Sequence, residues 1–464
     1  MIHQYKLNGY NIVLDVPSGS IHAVDDAAYD AIALYETHGA EEIIARLVDK
    51  YGAEGMTSQE AQELLGDIET LKESGSLFSE DAFARLSGAI KANRHTIKAL
   101  CLHVSHACNL TCEYCFAGEG QYHGQRALMS LETGRRAIDF LIANSGARRN
   151  LEVDFFGGEP LLNWDVVKGI VEYARSVEKE HGKNIRFTLT TNGVLIDDEV
   201  IDFTSREMHN VVLSLDGRRE THDRMRKTPS GGGSYDEILP KFKRLVEKRD
   251  GREYYIRGTY TRHNLDFTED ILHLADLGFT ELSMEPVVSG PEPDYALQEE
   301  DLPVLYEQYE KLAGEMLRRE EEGRPFTFYH YILDLNHGPC IHKRIAGCGA
   351  GTEYLAVTPS GDLYPCHQFV GDEAYCMGSL QEGVTNREKQ EKFAQVNAYS
   401  RKECRDCWAR LYCSGGCAAN AYHASGEVDG LYPLGCELFK KRMECAIMIQ
   451  VAKAISGQKP EFEA

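Results

Sequence analysis

From residue 98 onward the chain repeats one unit, an apolar run of strand length followed by an amphipathic stretch of helix length. The runs are ALCLHVS (99–105), LEVDFF (151–156), IRFTLTT (185–191), NVVLSLD (210–216), EYYIRGTY (253–260) and ELSMEPV (281–287). Helical patterns lie between them, for instance at 130–144, 165–179, 235–248 and 267–277. Such alternation predicts an α/β fold whose parallel sheet is covered by crossover helices. Six units predict an open sheet or a partial barrel. Functional residues then belong at the C-terminal ends of the strands.

The flanks read differently. Residues 1–90 alternate apolar and polar positions around NG and SG turn signals, so strands or a hairpin are expected first. Helical patterns follow at about 25–50 and 57–76, and this unit has no cysteine. A charged helix near 299–322 leads out of the repeats, and its acidic run reads as a solvated face. The stretch 338–445 is rich in Cys and Gly and weak in periodicity. So little apolar core points to stabilisation by metal. At 464 residues the chain exceeds one core, and domains are expected at 1–90, 91–325 and 326–464.

A formal charge of −23 argues against a general affinity for nucleic acid or anionic membrane. No apolar run reaches the length of a membrane span. The start, MIHQYKLNGYNIVLDV, has no basic region followed by an apolar one, which predicts a cytoplasmic location. In that reducing compartment fourteen cysteines speak for metal rather than disulfides. Four fall between 101 and 115 and ten at 340 or later, with none between.

The first group contains CNLTCEYC, residues 108–115, with spacing Cys-x3-Cys-x2-Cys. A structural zinc site wants four ligands, and would have to recruit His103, His106 or His123. Three thiolates just after the first strand also suit an iron–sulfur cluster that keeps one iron open.

Cys108, Cys112 and Cys115, with Tyr114 before the last cysteine, resemble the signature of radical S-adenosylmethionine (SAM) enzymes. In that family the open iron of a 4Fe–4S cluster is chelated by the amino and carboxylate groups of SAM. Reductive cleavage then yields a 5′-deoxyadenosyl radical. Further matches follow the strands: GGEP (157–160), TNG (191–193), SLDG (214–217) and HDRMR (222–226). The resemblance implies that Gly157, Gly158 and Glu159 bind the methionine amino group. It implies that Ser214 and Arg226 contact the ribose or carboxylate, and that Val287 lines the adenine pocket.

In the second region Cys404, Cys407, Cys413 and Cys417 are followed by Cys436, while Cys348 precedes Gly361 and Cys366. This spacing resembles the SPASM domain of radical SAM peptide-modifying enzymes, which carries two auxiliary 4Fe–4S clusters. The resemblance implies Cys348, Cys366 and Cys417 for the first and Cys404, Cys407, Cys413 and Cys436 for the second. With the SAM-binding cluster this makes three. A zinc knuckle is the alternative for Cys-x2-Cys. Cys101, Cys376 and Cys445 read as buried, inert thiols; Cys340 is either the fourth ligand of the first auxiliary cluster or, in the favoured reading, no ligand, which leaves one iron open to a substrate cysteine.

The order of domains resembles peptide maturases, most closely those forming thioethers in six-cysteine (SCIFF) precursor peptides. Residues 1–90 then correspond to a winged-helix-like unit that binds the leader of a Cys-rich precursor as an added strand. The resemblance implies SAM, three 4Fe–4S clusters and an electron donor such as flavodoxin or ferredoxin. The rival is an anaerobic sulfatase maturase, which makes formylglycine. Those enzymes place an Asp base directly after the cysteine matching Cys366, where this chain has His367.

Overall fold

The computed structural model describes residues 1–86, 96–122, 124, 126–335 and 340–457. The boundary expected at 90 and His123 lie outside them. Six of its strands are β4 (Ala99–Ser105), β5 (Asn150–Gly157), β6 (Asn184–Thr191), β7 (Asn210–Ser214), β8 (Tyr254–Tyr260) and β9 (Glu281–Pro286). They lie side by side in chain order, each parallel to the next. The helices between them include Leu131–Asn144, Trp164–Val177, Tyr235–Lys248 and Phe267–Asp276. Alternation explains the packing: Leu151, Val153 and Phe155 of β5 are fully buried, whereas Glu152, Asp154 and Phe156 on the other face are not.

β4 and β9 do not pair with each other, so the barrel of six β/α units is partial. Each finds another neighbour. β9 is flanked by Thr327–Phe328. β4 is flanked by Tyr354–Val357, which comes from the Cys-rich region and runs parallel to it. That second extension was not foreseen from the sequence. It continues through the short antiparallel strands Asp362–Tyr364, Gly378–Ser379 and Gly383–Val384, so the C-terminal region is built on the edge of the main sheet.

The N-terminal unit starts with an antiparallel sheet of β1 (Ile2–Leu7), β2 (Tyr10–Asp15) and β3 (Ser20–Val24), with β2 central. Asn8 and Gly9 join β1 to β2 at φ 48° and 84°, the left-handed pair a two-residue hairpin turn requires. The helix expected over 25–50 is two helices, Asp26–Leu34 and Ala40–Tyr51, with Gly39 as the N-cap of the second. The helix Ser58–Glu73 begins with a Thr57/Glu60 capping box.

This unit is anchored to the C-terminal region. The His3 ring stacks on Trp408 at 3.9 Å, and Tyr5 donates to the Glu444 carbonyl at 2.9 Å. Asp81 pairs with Arg410 at 2.7 Å, and the Arg410 side chain is only 3% exposed. The β1 side is thereby covered, while β3 pairs on its outer side with no strand among the described residues. Asp81→Ala strands a nearly buried guanidinium, at an expected cost of about 2–3 kcal/mol. Calorimetry of the full chain should show the melting midpoint fall by several degrees, and an unchanged midpoint would mean that this pair does not hold the unit. No helix among the described residues is long and apolar enough to cross a membrane.

Candidate iron–sulfur and cofactor site

The site forms where the loops after β4 and β5 cross. Gly157 has φ 127°, and a Cβ there would lie 2.2 Å from the Ser105 carbonyl oxygen. A Cβ on Gly158 would lie 2.1 Å from the Ala107 oxygen. Only glycine permits this approach. The contact is then locked, since Gly158 N donates to Ser105 O at 2.7 Å and Glu159 N to Ala107 O at 2.8 Å. The Tyr122 hydroxyl donates to Gly157 O at 2.9 Å.

This crossing presents Cys108, Cys112 and Cys115 to a cavity of about 990 Å³. The Cys108 sulfur accepts from Leu110 N at 3.5 Å and from Asn192 Nδ2 at 3.7 Å. Burial pushes the Cys108 thiol up to about 12 and the Cys112 thiol up to about 11. Thiols so placed hold their protons at neutral pH unless a cation displaces them, as iron does. Asn109 Nδ2 is buried beside them without a hydrogen-bond partner. Donor set, enclosure and glycine cradle fit a cluster with a small polar ligand.

Gly157, Gly158, Glu159, Ser214, Arg226 and Val287 line the same cavity. Glu159 has an additional task. Its buried carboxylate accepts from Leu161 N at 3.0 Å, Asn192 N at 2.8 Å and the Thr191 hydroxyl at 2.8 Å. It therefore braces the ends of β5 and β6, and burial raises its pKa to about 7. Arg226 Nε donates to Asp216 Oδ2 at 3.0 Å, and Tyr114 OH donates to the same carboxylate. Asp216 Oδ1 accepts from Thr259 N at 2.9 Å. Fully buried Asp216 thus ties the cysteine loop, Arg226 and β8 together. Sequence reasoning quoted SLDG but missed this role. Its signal was an acidic residue at the end of an otherwise apolar strand.

The later cysteines form the two expected groups. Cys348, Cys366 and Cys417 lie close enough for their charges to interact, and so do Cys404, Cys407, Cys413 and Cys436. Cys348, Cys413, Cys417 and Cys436 line the cavity that the first three cysteines line. Gly361, at φ 92°, closes the turn before Asp362–Tyr364, the strand that leads to Cys366. Arg401 donates to Gly415 O at 2.6 Å and lies 3.9 Å from the Cys404 sulfur. Cys340 is exposed and outside the cavity lining.

Cys101 and Cys445 are buried in the core, as expected, whereas Cys376 is only half-buried. Among the described residues no three His, Cys, Asp or Glu side chains converge on a single-ion site. His103 and His106 pack on each other and on Tyr122 outside the cavity lining, so the structure does not deliver them to the cysteines as zinc ligands. His367 does face the cavity, with its ring 5.8 Å from Phe116 and 5.0 Å from Phe156. Burial pushes its pKa down to about 4.

Comparison with known proteins agrees with this geometry. Residues 102–275 match the Radical SAM superfamily model, and residues 348–408 match the SPASM model, an iron–sulfur cluster-binding domain. The radical SAM cyclopropyl synthase TigE of Paramaledivibacter caminithermalis is 23% identical over 74% of this chain and 72% of its own. A cysteine-type anaerobic sulfatase-maturating enzyme of Clostridium novyi is 28% identical over 76% of this chain and 96% of its own. Among solved structures, anSMEcpe with bound AdoMet and a peptide superposes with a TM-score of 0.64 at 22% identity, covering 78% of this chain and 99% of that one. Streptococcus suis SuiB bound to SAM gives 0.53 at 16% identity, covering 93% of this chain and 97% of that one. The first model takes in Cys108, Cys112 and Cys115, and the second Cys348, Cys366, Cys404 and Cys407. The chain is a radical SAM enzyme with a SPASM domain, and SAM and 4Fe–4S clusters are its cofactors.

Proposed function

We propose that the chain installs thioether crosslinks, cysteine sulfur to carbon, in a ribosomally made, Cys-rich precursor peptide. The observation that carries this reading is one cavity of about 990 Å³ lined by cysteines of all three groups. Solved relatives hold peptides: SuiB has been solved bound to its precursor peptide SuiA, and anSMEcpe with bound AdoMet and a Kp18Cys peptide. Cys108, Cys112 and Cys115 would hold the SAM-binding cluster. Cys348, Cys366 and Cys417 would hold the first auxiliary cluster, and Cys404, Cys407, Cys413 and Cys436 the second. When bound, these groups supply a 5′-deoxyadenosyl radical to take a hydrogen atom from a substrate carbon, and an acceptor for the electron left when sulfur joins that carbon.

The chain's own residues do the rest. Residues 1–90 form the leader-recognition domain, whose β3 edge takes the leader as a fourth strand. The core, 91–325, and the SPASM domain, 326–464, enclose the reacting segment and keep water away. Gly157 and Gly158, where the backbone is drawn close to the cysteine loop, would bind SAM together with Arg226, which Asp216 holds in place. A flavodoxin or ferredoxin delivers the reducing electron. With Cys340 exposed and outside the cavity lining, Cys348, Cys366 and Cys417 alone would hold the first auxiliary cluster, and a substrate cysteine would supply the remaining thiolate. Cys340→Ala should therefore retain its iron and still crosslink; loss of one cluster's iron would make Cys340 the fourth ligand.

The competing reading is formylglycine formation, favoured by the similarity to sulfatase-maturating enzymes over nearly their whole length. Against it stands His367 at the position of the expected Asp base. Mass spectrometry of precursor co-expressed with the enzyme separates the two. A thioether removes two hydrogens per crosslink and leaves the cysteine resistant to alkylation. A hydrazide-reactive aldehyde with no crosslink would establish the rival instead.

A further inference from the structure

The chain carries a formal charge of −23, yet its central cavity is cationic. Six Arg and Lys side chains line it against three Asp and Glu. Some of these cations are already used: Arg226 is paired with Asp216, and Arg401 is spent on backbone carbonyls beside Cys404. Arg257 is not, and Arg442 has one loose ion pair. Arg257 belongs to β8, in register with Ser214 of β7 on one side and Ser283 of β9 on the other. It lines the cavity, is exposed to it, and makes no hydrogen bond or ion pair among the described residues.

Arg442 comes from the C-terminal helix Pro433–Ile455 and reaches the same wall. Its side chain is 12% exposed and its Nε is buried without a partner. Among the described residues its only ion pair is with Glu285 of β9, at 3.7 Å. Glu285 is also 3.4 Å from His330. Burial pushes the His330 pKa down to about 4, so this ring is neutral at pH 7. One carboxylate therefore faces two guanidiniums, and donors on both are left without acceptors. Guanidinium forks match a carboxylate in geometry as well as charge.

We propose that Arg257 and Arg442 form a binding site for the side-chain carboxylate of an acidic residue in the peptide substrate, set one or a few residues from the reacting position. The site joins core to SPASM domain, so it reads the peptide where it crosses between the SAM side and the first auxiliary side. Glu285 positions Arg442 and keeps the empty site from collapsing. This inference rests on the peptide-modifying reading.

The test uses reconstituted full-length enzyme with SAM, under anaerobic conditions. The probes are capped heptapeptides with a central cysteine, one Glu scanned through the six other positions, the matching Gln set and the all-Gly/Ser parent, followed by calorimetric titration. At one or two positions Glu should bind about tenfold tighter than Gln. Arg257→Gln and Arg442→Gln should each erase that preference, and Arg257→Lys should restore part of it. Equal binding of Glu and Gln peptides at every position would overturn the proposal while leaving the peptide reading intact. Failure of every heptapeptide to bind would overturn both. If Arg257→Gln weakened SAM binding as much as Glu-peptide binding, the site would be reading the SAM carboxylate and the proposal would fall. A Glu preference that survives both Gln variants, with only the cluster spectra altered, would show that the two arginines merely offset cluster charge.

Discussion

A variant with Cys108, Cys112 and Cys115 all changed to Ala should form no 5′-deoxyadenosine while keeping about eight iron atoms per chain, two 4Fe–4S clusters' worth. The separation rests on where the thiols come from. The three are on one loop between β4 and the helix Leu131–Asn144. Every thiol of the other two groups comes from residues 348–436. That loop is held by backbone contacts to Gly157 and Gly158 and by Tyr114 on Asp216, none of which needs a sulfur atom. The fold should therefore survive, and the remaining seven cysteines should load as before. Iron analysis and chromatography of the SAM reaction check both halves. Retained SAM cleavage would dismiss these cysteines as the cluster ligands. Loss of nearly all iron would mean that the three groups assemble only together.

The core was legible because its signal is periodic and its strands are buried in a standard way. Five of the six strands begin and end within a residue of the apolar runs, and β7 stops two residues short, where the Asp216 carboxylate turns to Arg226 and Thr259. In β5, β6, β7 and β8 burial repeats at every second residue, whereas β4 is buried throughout. The N-terminal helices were less legible. Helical periodicity continues through Thr37–Gly39, and only the cap at Gly39 shows the break. The strand Tyr354–Val357 could not be read as the neighbour of β4, since pairing over 250 residues leaves no local trace.

The site divides in the same way. The family resemblance that the cysteine spacing carries supplied all ten proposed ligands, whereas spacing alone left zinc open. Asp216, Thr191 and Asn192 were invisible as supports, because any polar residue at a strand end looks like turn chemistry until its partners are known. Arg257 and Arg442 were missed altogether. They lie 185 residues apart, and what singles them out is an unpaired Arg257 beside an Arg442 whose Nε has no acceptor, which a sequence does not record.

Gly158→Ala should reduce SAM cleavage by about a hundredfold or more, although it adds a single methyl group. That methyl would sit 2.1 Å from the Ala107 oxygen, 2.5 Å from its carbonyl carbon and 3.1 Å from Cys108 N. All three are backbone atoms, so no side chain can swing aside. On the other side Gly158 Cα is already the atom that a Cβ on Gly120 would meet, at 2.6 Å. The strain has to be relieved by moving the Cys108 loop away from β5. A shift of about 1 Å in a reacting geometry costs on the order of a hundredfold in rate, and overpacking of this kind costs about 1–3 kcal/mol of stability. Gly66→Ala is the control. It lies within the helix Ser58–Glu73 with nothing within 4 Å of its added methyl, and should be neutral or stabilising by up to about 1 kcal/mol. Iron content in Gly158→Ala should stay above that of the triple cysteine variant, because its thiols remain. The measurement is 5′-deoxyadenosine formed per minute per loaded cluster at saturating SAM. A wild-type rate in Gly158→Ala would show that the β4–β5 crossing has slack, and that the tight glycine contact is not what places the three cysteines.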